Sequence, residues 1–149
     1  MSDNWIAVIP ENPEHIPSAE CQNQALSFFW SIAPEADEIE IRLSDHLMFF
    51  DCGANLESIS CPNCGKGIPI DWWQDRMGED YEFTSLKSHA LPCCEKLSTL
   101  AELEYDWPQG FAKFGIDAMN PKIGILSDEE KGKFEEILGT PLRIIYQHI

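Results

Sequence analysis

Four of the six cysteines of this chain lie in one stretch of the sequence, between Cys61 and Cys94. The stretch begins with Cys61-Pro62-Asn63-Cys64-Gly65 and ends with Pro92-Cys93-Cys94. Two cysteines separated by two residues can both place sulfur about 2.3 Å from one Zn²⁺, and a following glycine eases the tight turn behind them. Four such sulfurs would form a closed tetrahedral site with no position left for a substrate. We therefore predict a zinc-ribbon-like segment, held by structural zinc, in the middle of the chain.

The second cysteine pair departs from the usual ribbon pattern. It follows the first pair after 28 residues, and Cys93 is adjacent to Cys94. Adjacent side chains diverge, so binding one ion through both requires a sharp turn, which Pro92 suggests. His89 lies four residues before Cys93 and is an alternative fourth ligand that would leave Cys94 free. The possibilities that remain open are a site formed by Cys61, Cys64, Cys93 and Cys94, a Cys₃His site that includes His89, and no stable metal.

The N-terminal residues and the lengths of the apolar runs indicate the cellular compartment in which the cysteines are found. Residues 1–5 contain neither the basic nor the apolar run of a signal peptide. No apolar run approaches the roughly 18 residues that a membrane span needs. We expect a cytoplasmic protein, in which clustered cysteines bind metal more often than they form disulfides. We expect Cys52, nine residues before Cys61, to be a buried free thiol, and a role as a spare metal ligand is the alternative.

The charge is strongly and unevenly negative. The net charge is −16, and residues 1–60 hold eleven acidic residues against one basic residue, Arg42. A phosphate backbone would be repelled, and the sequence contains no cluster of Lys or Arg to override that repulsion. Direct binding of nucleic acid is therefore disfavoured. The negative field fits a soluble protein or a basic protein partner.

The periodicity of the chain predicts a single α+β domain over residues 1–149. Ser18 and Ser127 are candidate N-caps of two main helices. Strict alternation over residues 38–43 predicts a strand, and residues 44–46 read as the turn of a hairpin. With residues 53–106 taken as the zinc-ribbon-like insertion, the element order is β-α-β-β-(β)-α-β, in which the strand in brackets is residues 111–119. This order is compatible with a ferredoxin-like fold with a small mixed or antiparallel sheet.

The segment that follows the first cysteine pair contains three candidates for a binding surface, Trp72, Trp73 and Asp75. Trp72 and Trp73 are adjacent, so on a helix they point about 100° apart and cannot both face one core. One is expected to cover the zinc site, and the other to serve with Asp75 as a surface anchor for a partner. Protein binding of this kind, in an immunity or antitoxin-like role, is the function that we expect.

Enzymatic alternatives have weaker support. A metal-dependent hydrolase would use Asp71, Asp75 or His89 around an open metal position. A thiol redox enzyme would use Cys61 and Cys64, but reactive dithiols usually begin a helix, and Gly65-Lys66-Gly67 is a poor helix start. The histidines occur in no hydrolase motif, and no catalytic residue is predicted.

A resemblance covers nearly the whole chain. It is carried by Cys61-Pro62-Asn63-Cys64-Gly65, Asp71-Trp72-Trp73-Gln74-Asp75, Pro92-Cys93-Cys94, Tyr105-Asp106-Trp107-Pro108-Gln109-Gly110-Phe111 and Leu138-Gly139-Thr140-Pro141-Leu142-Arg143. With these motifs the chain resembles a family of small bacterial zinc-knuckle proteins, some of which are labelled sugar ABC transporter ATPase. The sequence has no phosphate loop to support that label. In the family the paired cysteines accompany the first knuckle, so the resemblance implies the four-cysteine site, and it implies no activity.

Overall fold

The computed structural model describes residues 3–80 and 86–148, which form a mixed α+β structure as predicted. The elements in chain order are β1 (Asn4–Pro10), α1 (Ala19–Ile32), β2 (Glu38–Phe50), β3 (Ile59–Ser60), β4 (Gly67–Ile68), α2 (Ile70–Glu79), β5 (His89–Ala90), β6 (Leu97–Ser98), a 3-10 turn (Leu100–Glu102), β7 (Glu104–Tyr105), β8 (Gly110–Met119), α3 (Asp128–Leu138) and β9 (Leu142–His148).

The long strands form one antiparallel sheet in the order β2-β8-β1-β9. Val8 in the central strand β1 lies opposite Ile116 of β8 and Ile144 of β9. Without the residues between β2 and β8, the chain runs β-α-β-β-α-β. The predicted order had one strand more, because the two halves of β2 were counted as separate strands, and the ferredoxin-like fold itself stays a prediction.

Helices α1 and α3 pack against this sheet and against each other. Ser18 caps α1 by accepting a hydrogen bond from the Cys21 N–H at 3.2 Å. Ser127, the other predicted N-cap, forms a capping box with Glu130 at the start of α3. The rings of Phe29 and Phe134 meet edge to face at 5.2 Å in the core between the helices and the sheet. None of the described helices is long and apolar enough to cross a bilayer.

The predicted hairpin at residues 44–46 is wrong. Both halves of β2 pair with the same strand, with Leu43 opposite Phe114 and Met48 opposite Ala112. The register shifts between these two pairs, so the extra residues form a bulge within one strand. Turn-forming residues such as Ser44 suit a bulge as well as a turn, and only the partner strand distinguishes the two.

Residues 53–106, the predicted insertion, build two small sheets, β4-β3-β7 and β5-β6, and helix α2. They surround a core of their own that includes Ile59, Trp73, Leu91 and Leu100. Phe111 of β8 belongs to the same core and thereby joins the insertion to the main sheet. This arrangement presents the cysteine pairs on two short hairpins, β3-β4 and β5-β6.

Candidate metal centre

The two hairpins carry turns with the same backbone hydrogen bonds. In the first knuckle, residues 61–66, the Cys61 N–H donates to the Lys66 carbonyl at 2.8 Å. In the second knuckle, residues 91–96, the Leu91 N–H donates to the Lys96 carbonyl at 2.9 Å. A further bond runs from the fifth residue of each turn back to the first, at 3.0 Å and 2.8 Å respectively. The insertion is therefore built from two equivalent turns.

This equivalence explains the adjacent cysteines. Cys-Pro-Asn-Cys-Gly-Lys in the first knuckle corresponds to Leu-Pro-Cys-Cys-Glu-Lys in the second. Cys94 occupies the position of Cys64, whereas Leu91 occupies the position of Cys61, and both of these first residues are 1% exposed. The second knuckle thus lacks the usual first ligand and supplies Cys93 instead. The repeated proline and lysine were the sequence signal for this, which the cysteine spacing alone concealed.

The four sulfur atoms lie close enough to share one ion. Cys61 Sγ lies 3.7 Å from Cys94 Sγ, Cys64 Sγ lies 3.4 Å from Cys93 Sγ, and all four atoms lie within 4.8 Å of one another. A tetrahedral ion with metal–sulfur bonds of about 2.3 Å places its sulfurs about 3.8 Å apart. The donor set fits such an ion with small adjustments.

Backbone N–H groups of the first knuckle stabilise a thiolate at Cys61. The N–H groups of Asn63 and Cys64 point at Cys61 Sγ, at 3.3 Å and 3.4 Å. Burial raises the pKa of Cys61, but these donors and the neighbouring thiols outweigh it and lower the pKa to about 6. Burial and contacts with the other three thiols raise the pKa of Cys93 to about 12. A bound cation would supply the positive charge that stabilises several thiolates together.

His89 and Cys52, the alternative ligands, lie outside this cluster. His89 Nε2 lies 3.0 Å from Oδ2 and 3.2 Å from Oδ1 of the buried Asp80. Cys52 is fully buried, with its sulfur 3.3 Å from Gln109 Oε1, and burial raises its pKa to about 11. Within the described residues, the group that could hold a metal ion consists of Cys61, Cys64, Cys93 and Cys94.

The three residues predicted to form a binding surface differ in their exposure to solvent. Trp73 is 9% exposed, and its Nε1 donates to the Tyr105 hydroxyl at 3.1 Å inside the insertion. Trp72 is half-buried, with the Arg76 guanidinium 5.5 Å from its ring centre. Asp75 is exposed. The solvent-facing part of this predicted surface therefore consists of Asp75 and one side of Trp72.

The chain matches no protein-family model, no curated protein and no solved structure.

Proposed function

We propose that the chain is a non-catalytic protein-binding module whose insertion is held by structural Zn²⁺, and that its partner is a basic protein. The observation that carries this proposal is the set of four sulfurs from two equivalent turns. Four protein ligands fill a tetrahedral ion, so such a centre stabilises a fold and offers no position for a substrate.

Strand β2 is the surface that best fits a basic partner. It is an edge strand of the main sheet, so its outer backbone groups are available to an added strand. Glu38, Glu40 and Asp45 are exposed along it, and they outnumber its one basic residue, Arg42, which pairs with Glu40 at 3.1 Å. Leu43 among them is 56% exposed. An extended basic segment with an apolar residue would match this strand in charge and hydrogen bonding. An immunity or antitoxin-like protein that covers a basic toxin would work in this way.

A small metal-dependent hydrolase or thiol redox enzyme is the alternative. It requires an open ligand position, or a reactive dithiol formed by Cys61 and Cys64. The exposed side chains Asp71 and Asp75 lie outside the cysteine cluster, which favours the structural role. X-ray absorption decides between the two, because a structural site has four sulfur neighbours, whereas an active site retains a lighter water ligand.

Elemental analysis of protein purified without chelator tests the metal assignment. We expect one zinc per chain in the wild type and in His89→Ala, and loss of zinc in Cys94→Ser. Cys52→Ser, a thiol replacement outside the cluster, is the matched control and should keep its zinc. Retention of zinc by Cys94→Ser, or its loss in His89→Ala, would contradict the four-sulfur assignment.

Crosslinking of the tagged protein in its host, followed by mass spectrometry, tests the partner. We expect a basic protein whose crosslinks map to β2 and whose complex weakens as salt rises. The double variant Glu38→Lys with Glu40→Lys should abolish the complex. Glu104→Lys with Glu136→Lys makes the same change in charge at exposed positions elsewhere and should retain it. Equal losses in both variants, or affinity unchanged by salt, would refute a charge-led docking strand.

A further inference from the structure

A cleft of about 540 Å³ lies at the end of the main sheet where β1 begins and β9 ends. The loop after β8, residues 120–125, forms one side, and Trp107 from the turn before β8 forms another. This volume lies within the roughly 300–1,000 Å³ of typical small-molecule sites. The cleft is separate from both the cysteine cluster and the outer edge of β2.

Aromatic and aliphatic side chains make most of the cleft wall. Trp5, Trp107 and Tyr146 contribute rings, and Ile123 and Ile125 face them from the loop. The Trp107 and Tyr146 rings meet edge to face at 6.4 Å. Trp107 is 38% exposed and Ile125 is 76% exposed, so a large apolar area stands open to solvent here. Apolar side chains of this size that line a concave surface are typical of a ligand site.

The polar groups of the cleft are mostly carboxamides. Within the described residues, Asn4 Nδ2, Asn55 Oδ1 and Gln147 Oε1 have no protein partner and are open to solvent, whereas the other amide atom of each side chain is engaged. Carboxamides offer both donors and acceptors to an uncharged ligand. The described lining contains no Asp or Glu, although the chain has 26 of them.

The charges around the cleft select against ions of either sign. The negative field of the chain attracts a cation, but the lining has no carboxylate to replace the water that a bound cation would lose. An anion would meet the field of a chain with net charge −16. The one lysine of the lining, Lys122, already lies 3.4 Å from Asp37. An uncharged ligand is the class that this environment favours.

The loop that forms one wall is held in a strained conformation. Lys122 has a φ of 58°, in the left-handed region that disfavours most side chains, and Asn120 has a φ of 45°, which asparagine adopts more readily than most residues. The Asn120 side chain accepts from the Asn4 N–H at 2.9 Å and donates to Asp37 at 2.9 Å, which fixes the loop against β1. The wall is therefore preformed before any ligand arrives.

We propose that this cleft binds an uncharged, planar heteroaromatic molecule of about two fused rings. The rings would stack on Trp107 and Trp5, and the polar edge would bond to the unpaired carboxamide atoms. The proposal is independent of the metal site and of the docking strand.

Titration of ¹⁵N-labelled, zinc-loaded protein with quinazolin-4-one tests this site. This probe has two fused rings with one N–H donor and one carbonyl acceptor. We expect saturable shifts of the Trp5 and Trp107 indole N–H signals, with a dissociation constant below about 1 mM. 2-Naphthoate, of similar size but anionic, should bind at least about fivefold more weakly because the field of the chain repels it.

Two tryptophans of equal exposure provide the matched variants. Trp107→Ala should weaken binding at least about tenfold through lost stacking. Trp30→Ala removes a ring that is 39% exposed on α1 and should leave binding unchanged. Ile125→Ser changes a more exposed position of the same cleft and should also weaken binding. It tests the site even if Trp107→Ala does not fold. Absence of indole shifts, equal losses in Trp30→Ala and Trp107→Ala, or tighter binding of naphthoate would overturn the proposal.

Discussion

Glu95 occupies the position in the second knuckle that Gly65 occupies in the first, with a φ of 64° beside the 75° of the glycine. Both residues donate their N–H to the first residue of their turn, so this backbone conformation closes both knuckles. A side chain in the left-handed region costs of order 1–2 kcal/mol, which glycine avoids. The second knuckle therefore contains local strain that the first does not.

Relief of that strain should stabilise the protein. We expect Glu95→Gly to raise the free energy of unfolding by about 1 kcal/mol, measured by urea denaturation at fixed free zinc. Glu104→Gly is the control, because Glu104 is also exposed but lies in strand β7. Glycine there should lower stability by about 0.5–1 kcal/mol. A similar loss in both variants would show that the conformation of Glu95 carries no cost.

The elements that sequence analysis predicted well are those with local signals. Ser18 and Ser127 mark the starts of two helices through the hydrogen bonds that their side chains accept, and both act there in the structure. Strand β8 contains Gly115 near its middle. A Cβ at Gly115 would lie 2.7 Å from the Phe50 ring, so the glycine gives that ring room on the sheet.

The features that sequence analysis missed depend on non-local pairing. Nothing near Ser44 shows that both halves of β2 pair with one strand, because that information lies in β8. The four-sulfur set was predicted as a candidate, but the equivalence of Leu91 and Cys61 emerges only from the matching hydrogen bonds of the two turns. The role of His89 was equally hidden, since no motif marks its partner Asp80, which lies nine residues earlier at the end of α2.

Loss of the buried pair formed by Asp80 and His89 should destabilise the protein without releasing the metal. The Asp80 side chain is fully buried and that of His89 is 10% exposed, and His89 Nδ1 also lies 3.7 Å from Glu79 Oε2. We expect Asp80→Asn and His89→Gln each to lower the free energy of unfolding by about 1–3 kcal/mol, because each weakens a buried hydrogen bond. Zinc content of the folded fraction, measured by elemental analysis after gel filtration, should stay at one per chain. Zinc loss from a folded His89→Gln variant would contradict this.

Metal removal should unfold the insertion and spare the main sheet. The insertion has its own core around Trp73 and Leu91, whereas Phe29, Phe134 and Val8 belong to a core that contains none of the four cysteines. Hydrogen exchange by mass spectrometry should show protection lost over residues 59–80 and 86–105 after chelation and retained in β1 and α3. The wild type treated with zinc-saturated chelator is the control. Loss of protection over the whole chain would show that the two cores unfold as one unit.

The buried thiol of Cys52 should make stability depend on alkaline pH. Burial raises its pKa to about 11 from an ordinary value of 9.0, so the unfolded chain loses this proton first as the pH rises. The stabilising contribution is complete below about pH 9 and is lost as the pH rises towards 11.

Cys52→Ser keeps a donor for Gln109 but does not titrate in this range. We therefore expect the stability advantage of the wild type over Cys52→Ser to fall by about 1 kcal/mol between pH 8 and 10, measured by urea denaturation with zinc in excess. Tyr105, whose pKa burial also raises, is common to both proteins and cancels in the difference. Parallel stability curves for the two proteins would show that Cys52 ionises as readily in the fold as in the unfolded chain.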